Sequence, residues 1–428
     1  MERRTFIAGI GGGALSALLA ESALAAPGLS ESKTNVLSPF AERTVQRSSI
    51  RITLGETRIV MRGPMFPTMA RLGGDTVVLH AQAVEEGGPL AAVRSEDLGA
   101  TWRGVRVDIA GMALNTFRLA NGRCVSIHYE TQAIDGKPGW RSTKRWESTD
   151  NWSTVRGPLE DGRLFLPADR FKPDRPKWFH GNTVQLPNGD LVAAMQDFRT
   201  PSEFSTFVAL SKDEGVNWEY LSDVGSLDTI DDPEGRTKTG WTLWGPCEPN
   251  LVHLGDGRMV CVMRLVNDDS SPLMGKPSET YRDLNYAVPG TGIYPGNVLS
   301  ADAYYEPGPP SAPLVISYSQ DFARTWTRPK PMRQARGCFP RMALSDGVLA
   351  LTYGGLAYPR WGNCVVFSTD GGETWTDEIN FAPNMTTGYT DVLAIGSRKF
   401  LCVFDCTPPQ PWTNHAAHWV GALDVTVA

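Results

Sequence analysis

The sequence lacks an excess of basic charge, a metal-ligand spacing and any nucleotide or cofactor fingerprint. Its 41 Lys and Arg residues are outnumbered by 47 Asp and Glu, which gives a net charge of -6. Nucleic-acid binding needs a basic face, so a nucleic-acid partner is not expected. Without a motif that would bind one, we expect no cofactor and no metal. Beyond the N-terminus no apolar run is long enough to span a bilayer, so we expect no stable membrane insertion.

The seven cysteines include no Cys-x-x-Cys pair. Their number is odd and their spacing is irregular, which indicates neither a disulfide framework nor a zinc site. We therefore expect mostly buried free thiols. A pairing of Cys402 with Cys406 stays open.

The first 27 residues have the pattern of an export signal. Arg3 to Ile7 reads Arg-Arg-Thr-Phe-Ile, a weakly apolar run continues to Ala20, and Ala23 to Ala25 is a small-x-small cleavage pattern. This combination is typical of a twin-arginine (Tat) signal peptide that is removed from the mature protein. It predicts a periplasmic or secreted location, with residues 28–428 as one domain.

One unit recurs six times along the rest of the chain. Each copy contains two short apolar strands, and in most copies an Asn-Gly or Asp-Gly turn supplies the positive φ that a tight hairpin requires. Six such hairpins predict an all-β, six-bladed β-propeller. Residues at about 266–313 break the spacing and predict a rim insertion. The six copies begin at Phe66, Asn115, Gly181, Glu248, Phe339 and Tyr389.

A second motif, Ser-x-Asp-x-Gly-x-Thr-Trp, follows most of the hairpins. In this Asp-box turn, Asp and Ser side chains can cap backbone amides, Gly can adopt a left-handed conformation and Trp can pack on the blade. We therefore interpret these aspartates as structural rather than catalytic. The copies, some degenerate, are Ser95–Trp102, Ser148–Trp152, Ser211–Trp218, Ser319–Trp326 and Ser368–Trp375.

Asp-box turns on a six-fold repeat resemble the sialidase (neuraminidase) superfamily, and the resemblance covers nearly all of the mature chain. It implies an active site at the central mouth of the propeller. It also implies that Tyr389 is the nucleophile, that Glu248 is its base, and that Arg264 and Arg360 bind a substrate carboxylate.

Two departures from the family pattern concern the first repeat. Met65 stands where sialidases have the first arginine of an Arg-Ile-Pro motif, and Arg62 and Arg71 are the nearest arginines. Of these we name Arg62 as a candidate substrate ligand. The family's acid/base aspartate has no counterpart, so Glu85 or Glu86 would have to serve.

Repeat register adds His180 to the candidates. Glu248 lies nine residues before the hairpin glycine Gly257, and His180 lies nine residues before Gly189. His180 is therefore predicted at the same position in the third repeat. There it could serve as a general acid/base or a hydroxyl ligand, or it could be a packed histidine at the strand entrance.

Together these residues predict an exo-acting glycoside hydrolase that acts on a glycan or glycoconjugate with a retaining Tyr/Glu mechanism. A carboxylate on the anomeric carbon would repel an anionic nucleophile, whereas a neutral tyrosine avoids that repulsion. One alternative is a uronate lyase in which Tyr389 or His180 abstracts a proton. Another is a non-catalytic glycan-binding propeller. The terminal sugar, its acidity and the oligomeric state stay open.

Overall fold

A computed structural model describes most of the chain after residue 41. The described residues form β-strands and a single 3-10 helix, Leu227–Thr229. The all-β class expected from the hairpin repeat is therefore confirmed over these residues. The described ranges are 42–47, 49–82, 91–107, 109, 115–170, 174–200, 203–238, 243–267, 312–355, 362–382, 386–406 and 418–428.

Three sheets are four-stranded and antiparallel throughout, and each follows chain order. The first contains β4 (Met65–Gly73), β5 (Thr76–Gln82), β6 (Ala91–Ser95) and β7 (Arg103–Val105). The second contains β18 (Leu243–Gly255), β19 (Arg258–Asn267), β20 (Pro313–Ser319) and β21 (Lys330–Arg336). The third contains β22 (Cys338–Ser345), β23 (Val348–Gly355), β24 (Gly362–Ser368) and β25 (Ile379–Ala382).

A ten-stranded sheet holds two further sets of four antiparallel strands. One set is β8 (Asn115–Arg118), β9 (Cys124–Ile127), β11 (Trp140–Ser148) and β12 (Arg156–Phe165). The other is β14 (Thr183–Gln185), β15 (Leu191–Thr200), β16 (Glu203–Ser211) and β17 (Asn217–Ser226). The two sets are joined by a parallel pairing of β12 with β17. They are also bridged by β10 (Glu130–Ala133) and β13 (Lys177–Trp178).

The last sheet combines N-terminal and C-terminal strands. Its C-terminal strands are β26 (Thr390–Gly396), β27 (Lys399–Cys406) and β28 (Trp419–Val427). Its N-terminal strands are β1 (Arg43–Arg47), β2 (Ile50–Leu54) and β3 (Arg58–Arg62). Both β2 and β3 pair with β28, so the two ends of the described chain close on each other.

The first strands of these six sets contact one another in a closed cycle. Going round it, β4 contacts β8, β8 contacts β14, β14 contacts β18, β18 contacts β22, β22 contacts β26, and β26 returns to β4. Apolar side chains of neighbouring sets pack between the sheets: Val260 and Val262 of β19 share a buried cluster with Leu349 and Leu351 of β23. Six strands that are distant in sequence are therefore neighbours in one closed cycle.

The Ser-x-Asp turns lie between third and fourth strands, and their carboxylates bind turn atoms. At Asp370, Oδ1 accepts hydrogen bonds from the Ser368 hydroxyl (2.7 Å) and the Thr374 N–H (2.9 Å), and Oδ2 accepts one from the Thr374 hydroxyl (2.5 Å). Equivalent carboxylate contacts recur at Asp97, Asp150, Asp213 and Asp321. These bonds stabilise the turns, in line with the structural interpretation.

The predictions for the cysteines fall on residues that the structure describes, whereas those for the signal peptide and the rim insertion do not. All seven cysteines, Cys402 and Cys406 among them, are buried thiols. The proposed signal peptide at 1–27 lies outside the described residues, as does nearly all of the rim insertion, since β19 ends at Asn267 and the description resumes at Ala312. Nowhere in the described ranges is there a helix with the length and apolarity needed to cross a membrane.

Candidate functional site

Three first strands contain the same local distortion. Phe66, Glu248 and Phe339 each precede a proline, and their φ angles are 56°, 45° and 47°. At all three the pairing register shifts, as in a β-bulge. A left-handed conformation costs a non-glycine residue roughly 1–2 kcal/mol, and a bulge re-aims the side chain it carries. The three side chains are thereby directed to a common place.

Tyr389, just before β26, lies at that place. Its hydroxyl donates a hydrogen bond to Glu248 Oε1 over 3.3 Å. The Phe339 ring stacks on the Tyr389 ring with centroids 4.0 Å apart, and Phe66 meets it edge-on at 4.6 Å. The phenol is therefore held by one carboxylate and two aromatic rings, from three different strands.

Glu248 is only 7% exposed, and its polar atoms are hydrogen-bonded. Besides Tyr389, Oε1 accepts a bond from Arg264 Nη1 at 3.0 Å, while Oε2 accepts the Phe339 N–H at 2.9 Å. Burial disfavours the charged carboxylate, but Arg264, His180 and the Phe339 N–H outweigh it, so the pKa of Glu248 lies below its usual value. At neutral pH Glu248 is a carboxylate that can accept a proton.

The pKa of the Tyr389 phenol is shifted in the opposite direction. Burial, followed by the charge of Glu248, raises its pKa well above the ordinary value. A neutral phenol thus faces an ionised carboxylate, and negative charge on Tyr389 can develop only as its proton moves to a base. Glu248 is within hydrogen-bond reach for that transfer.

The loop that carries Tyr389 is fastened by the buried carboxylate of Asp405, at the end of β27. Asp405 Oδ1 accepts bonds from the Thr386 hydroxyl (2.6 Å) and the Thr387 N–H (2.9 Å). Its Oδ2 accepts the Thr387 hydroxyl, and the Phe66 N–H at 3.0 Å. One carboxylate therefore ties the loop before Tyr389 to a ring that packs on Tyr389.

His180 lies beside this group, where the chain passes close to β18. At the next residue, Gly181, a Cβ would stand 2.6 Å from the carbonyl oxygen of Pro249, so only glycine allows this approach. The His180 ring lies 5.4 Å from Tyr129 and 5.6 Å from Phe339. Burial lowers the His180 pKa to about 4. The imidazole is therefore neutral at neutral pH and is suited to hydrogen bonding rather than to acting as a charged acid.

The structure thus brings Tyr389, Glu248, Arg264 and His180 together. Arg62 is exposed at the end of β3, opposite Trp419 of β28, and Met65 is buried in β4. The remaining candidates, Glu85, Glu86 and Arg360, lie outside the described residues, so their roles stay predictions.

Sequence reasoning missed several residues that shape the site. Phe66 and Phe339 occupy the same position in their repeats as Glu248 does in its own. All three precede a proline, and this shared pattern could have identified the two phenylalanines. Gln196, whose Oε1 accepts the Glu248 N–H at 2.7 Å, and Asp405 come from later strands, where the repeat gives no signal. The described residues contain no group of three or more His, Cys, Asp or Glu side chains placed to hold a metal ion.

Comparison with solved structures shows what this fold is similar to. A protein of unknown function from Dyadobacter fermentans superposes with a TM-score of 0.56 at 16% identity, covering 88% of this chain and 99% of that one. The α-L-arabinofuranosidase Arb93A from Fusarium graminearum, solved with an iminosugar inhibitor, superposes with a TM-score of 0.53 at 11% identity, covering 86% and 96%.

Sialidases are similar over part of their length. The Hadza microbial sialidase Hz136 superposes with a TM-score of 0.53 at 13% identity, covering 86% of this chain and 66% of that one. For Trypanosoma rangeli sialidase the TM-score is 0.51 at 14% identity, covering 86% and 55%. This chain therefore spans about half to two-thirds of those sialidases. No family model and no curated protein matches the sequence. The likenesses show a sialidase-like fold.

Proposed function

We propose that this protein is an exo-acting glycoside hydrolase, with Tyr389 as nucleophile and Glu248 as its base. The observation that carries the proposal is the 3.3 Å contact between a neutral, partly buried phenol and an ionised carboxylate. Arg264, 3.0 Å from the same carboxylate, keeps it charged. The similarity of the fold to two kinds of glycosidase supports a glycan or glycoconjugate substrate.

The first chemical step forms a bond between Tyr389 Oη and the anomeric carbon while the glycosidic bond breaks. The phenol proton passes to Glu248, and the leaving oxygen takes a proton from an acid, for which Glu85 or Glu86 is our candidate. In the second step water attacks the same carbon and gives its proton to the carboxylate of Glu85 or Glu86, which restores the acid, while the Tyr389 oxygen leaves and recovers its proton from Glu248. Two displacements return the original anomeric configuration.

We also propose that the six strand sets are the blades of one propeller, with 266–313 as a rim insertion. The closed cycle of first-strand contacts supports six blades, because the first strand of each set contacts the first strand of the next and the sixth contacts the first. Export by the twin-arginine route is part of the proposal. Changing Arg3 and Arg4 to Lys should retain the protein in the cytoplasm, and unchanged export would contradict the route.

The direct test is a screen of the mature protein against aryl glycosides and uronate-containing glycans, sialosides included. On whichever substrate is cleaved, Tyr389→Phe and Glu248→Gln should each lower kcat by at least about 100-fold, since nucleophile and base act in the same step. Tyr318→Phe is the matched control, because it removes another partly buried phenol that donates to the Gly372 carbonyl.

Three outcomes would overturn the proposal. Full activity in both site variants would remove Tyr389 and Glu248 from the mechanism. An ultraviolet-absorbing, unsaturated product would indicate a lyase instead of a hydrolase. Binding without turnover of any glycan in the panel would indicate a non-catalytic propeller.

A further inference from the structure

A row of five aromatic rings leads away from the candidate site. It begins at Tyr129, just before β10, whose ring lies 5.4 Å from the His180 ring. Burial, followed by the charge of Glu248, raises the pKa of the Tyr129 phenol, so this end of the row borders the proposed base. The row then crosses β13, β15 and β16 and ends in β18. Its members are Tyr129, Trp178, Phe198, Phe204 and Trp244.

Successive rings of this aromatic row are neighbours. The Tyr129 and Trp178 centroids are 6.0 Å apart, with ring planes inclined by 27°. At the other end, the Phe204 and Trp244 centroids are 6.4 Å apart, with planes inclined by 24°. Between these two stacked pairs, Trp178 lies 5.3 Å from Phe198 and 6.4 Å from Phe204. Phe198 and Phe204 face each other across β15 and β16, 4.2 Å apart, so the surface is continuous.

Strand alternation places the middle of the row on one face of the sheet. Lys177, Asp197 and Ser205 are buried and bind one another: Lys177 Nζ lies 3.3 Å from Asp197 Oδ2, and the Ser205 hydroxyl donates to Asp197 Oδ1. Successive side chains of a strand point to opposite faces, so the row residues adjacent to these three lie on the other face. Gln196 alternates with Asp197 and is on that face as well. Its Oε1 accepts the Glu248 N–H, so the aromatic face is continuous with the candidate site.

The rings of the row are partly exposed, unlike the aromatic side chains of the core. Phe179, the residue after Trp178, is 0% exposed, and Phe207 is 1% exposed. The last ring reaches the row because β18 passes close to β16: a Cβ at Gly245 would stand 2.4 Å from the Phe204 carbonyl oxygen, so glycine is required there. A continuous, partly exposed aromatic surface beside a candidate site is typical of ligand binding.

We propose that the aromatic row binds the sugar units that follow the terminal sugar cleaved at Tyr389, which form the leaving part of the glycan. One face of a sugar ring carries C–H groups, which pack on an aromatic face while the hydroxyls remain in water. Ring spacings of 5.3–6.4 Å allow successive sugar units to stack on successive rings. The substrate class is then a glycan chain of several units rather than a single sugar on a small aglycone. This inference rests on the proposed function for the reaction, but chain binding itself does not.

Glycan length tests this proposal. Short and long forms of three glycans are titrated by calorimetry into Tyr389→Phe, in which the proposed mechanism stops cleavage. The pairs are xylobiose with xylotetraose, digalacturonate with tetragalacturonate, and sialyllactose with sialyl-lacto-N-tetraose. We expect the long form of at least one pair to bind more tightly than the short form.

In that pair, variants along the row should have different effects. Trp178→Ala should weaken binding of both forms by about fivefold or more, because Trp178 lies next to the site end of the row. Trp244→Ala, at the far end, should weaken only the long form. Trp244→Phe should restore most of the affinity, because it retains an aromatic face.

Trp140→Ala is the matched control. Trp140 is 39% exposed, but its ring packs on Phe165 of β12, 5.1 Å away and outside the row, so affinity should not change. Equal binding of short and long forms in all three pairs would overturn the proposal. A loss in the folded row variants no larger than in Trp140→Ala would also overturn it, and would indicate that the row is only a packed apolar cluster.

Activity separates this inference from the proposed function. If the long forms bind through the row but the wild type cleaves no glycan, the aromatic row stands and the hydrolase proposal fails. If the wild type cleaves a glycan and Tyr389→Phe does not, but the row variants bind long forms as tightly as before, the hydrolase proposal stands and this inference fails.

Discussion

At the residue scale, the charge of Glu248 depends on a balance of opposing effects. Burial favours the protonated acid, whereas Arg264, His180 and the Phe339 N–H favour the carboxylate. The combined effect of these neighbours exceeds the effect of burial. Glu248 therefore remains charged in a place where an isolated carboxyl would be neutral. This balance makes the residue suitable as a base, and it makes the pH range of activity sensitive to a single neighbour.

Replacing Arg264 with Lys or Met should move the acid limb of the pH profile. Arg264 is the largest influence that lowers the Glu248 pKa, so its loss leaves burial less opposed and the pKa rises. Glu248 would then be protonated at higher pH, and kcat/KM should decline at higher pH than in the wild type. We expect a shift of about one pH unit or more in Arg264→Met, and a smaller one in Arg264→Lys. An unchanged acid limb in both variants would show that Glu248 does not govern it.

At the scale of elements, the position of Tyr389 depends on contacts made by the ends of other strands. Asp405 at the end of β27 holds both the loop before Tyr389 and the N–H of Phe66 in β4. Each oxygen accepts two hydrogen bonds, one of them from a backbone N–H. No residue with only one acceptor oxygen can replace this arrangement, so Asp405 acts as a positioning residue.

Asp405→Asn should therefore lower kcat with little effect on KM. The amide nitrogen of Asn would face a backbone N–H where the carboxylate accepts one, and the loop would move. We expect kcat to fall by about tenfold or more, since small misplacements of reacting groups are costly. Asp424→Asn is the control, because Asp424 of β28 forms only partly exposed ion pairs, with Arg58 and Lys399. An equal, small effect of both changes would argue against positioning.

At the scale of the whole molecule, two buried histidines link stability to pH. Burial lowers the pKa of both His80 and His180 to about 4. His80 Nε2 accepts the Trp152 indole N–H at 3.1 Å, a bond that only the neutral ring can accept. Between pH 6.5 and about 4 the unfolded chain binds these protons and the folded chain does not, so stability declines as the pH falls.

His80→Gln should make this decline shallower. The Gln oxygen can still accept from Trp152, while one of the two titrating groups is removed. The free energy of unfolding, measured by urea denaturation from pH 7 to pH 4, should then vary less with pH, by up to about 1.4 kcal/mol per unit. The same slope in variant and wild type would show that His80 does not contribute.

Much of the architecture could be predicted from the sequence because its causes are local. The Asn-Gly and Asp-Gly hairpins and the Ser-x-Asp turns depend on side chains that bond to backbone a few residues away. For example, Asp370 binds Thr374. Repeat register also predicted His180 and Glu248 at equivalent positions, because both lie nine residues before the glycine of their hairpin turn.

The sequence by itself therefore determined the all-β class, the hairpin repeat and the turn carboxylates. Only the tertiary structure decided which polar groups have partners. Phe66 and Asp405 are 339 residues apart in the chain, and Tyr389 and Glu248 are 141 apart, yet each pair is hydrogen-bonded. Glu248 Oε1 is shared by the Tyr389 hydroxyl and the Arg264 guanidinium, which come from different parts of the chain. Such competition among residues from different strands has no local signature, because it exists only after the strands have packed around a common centre.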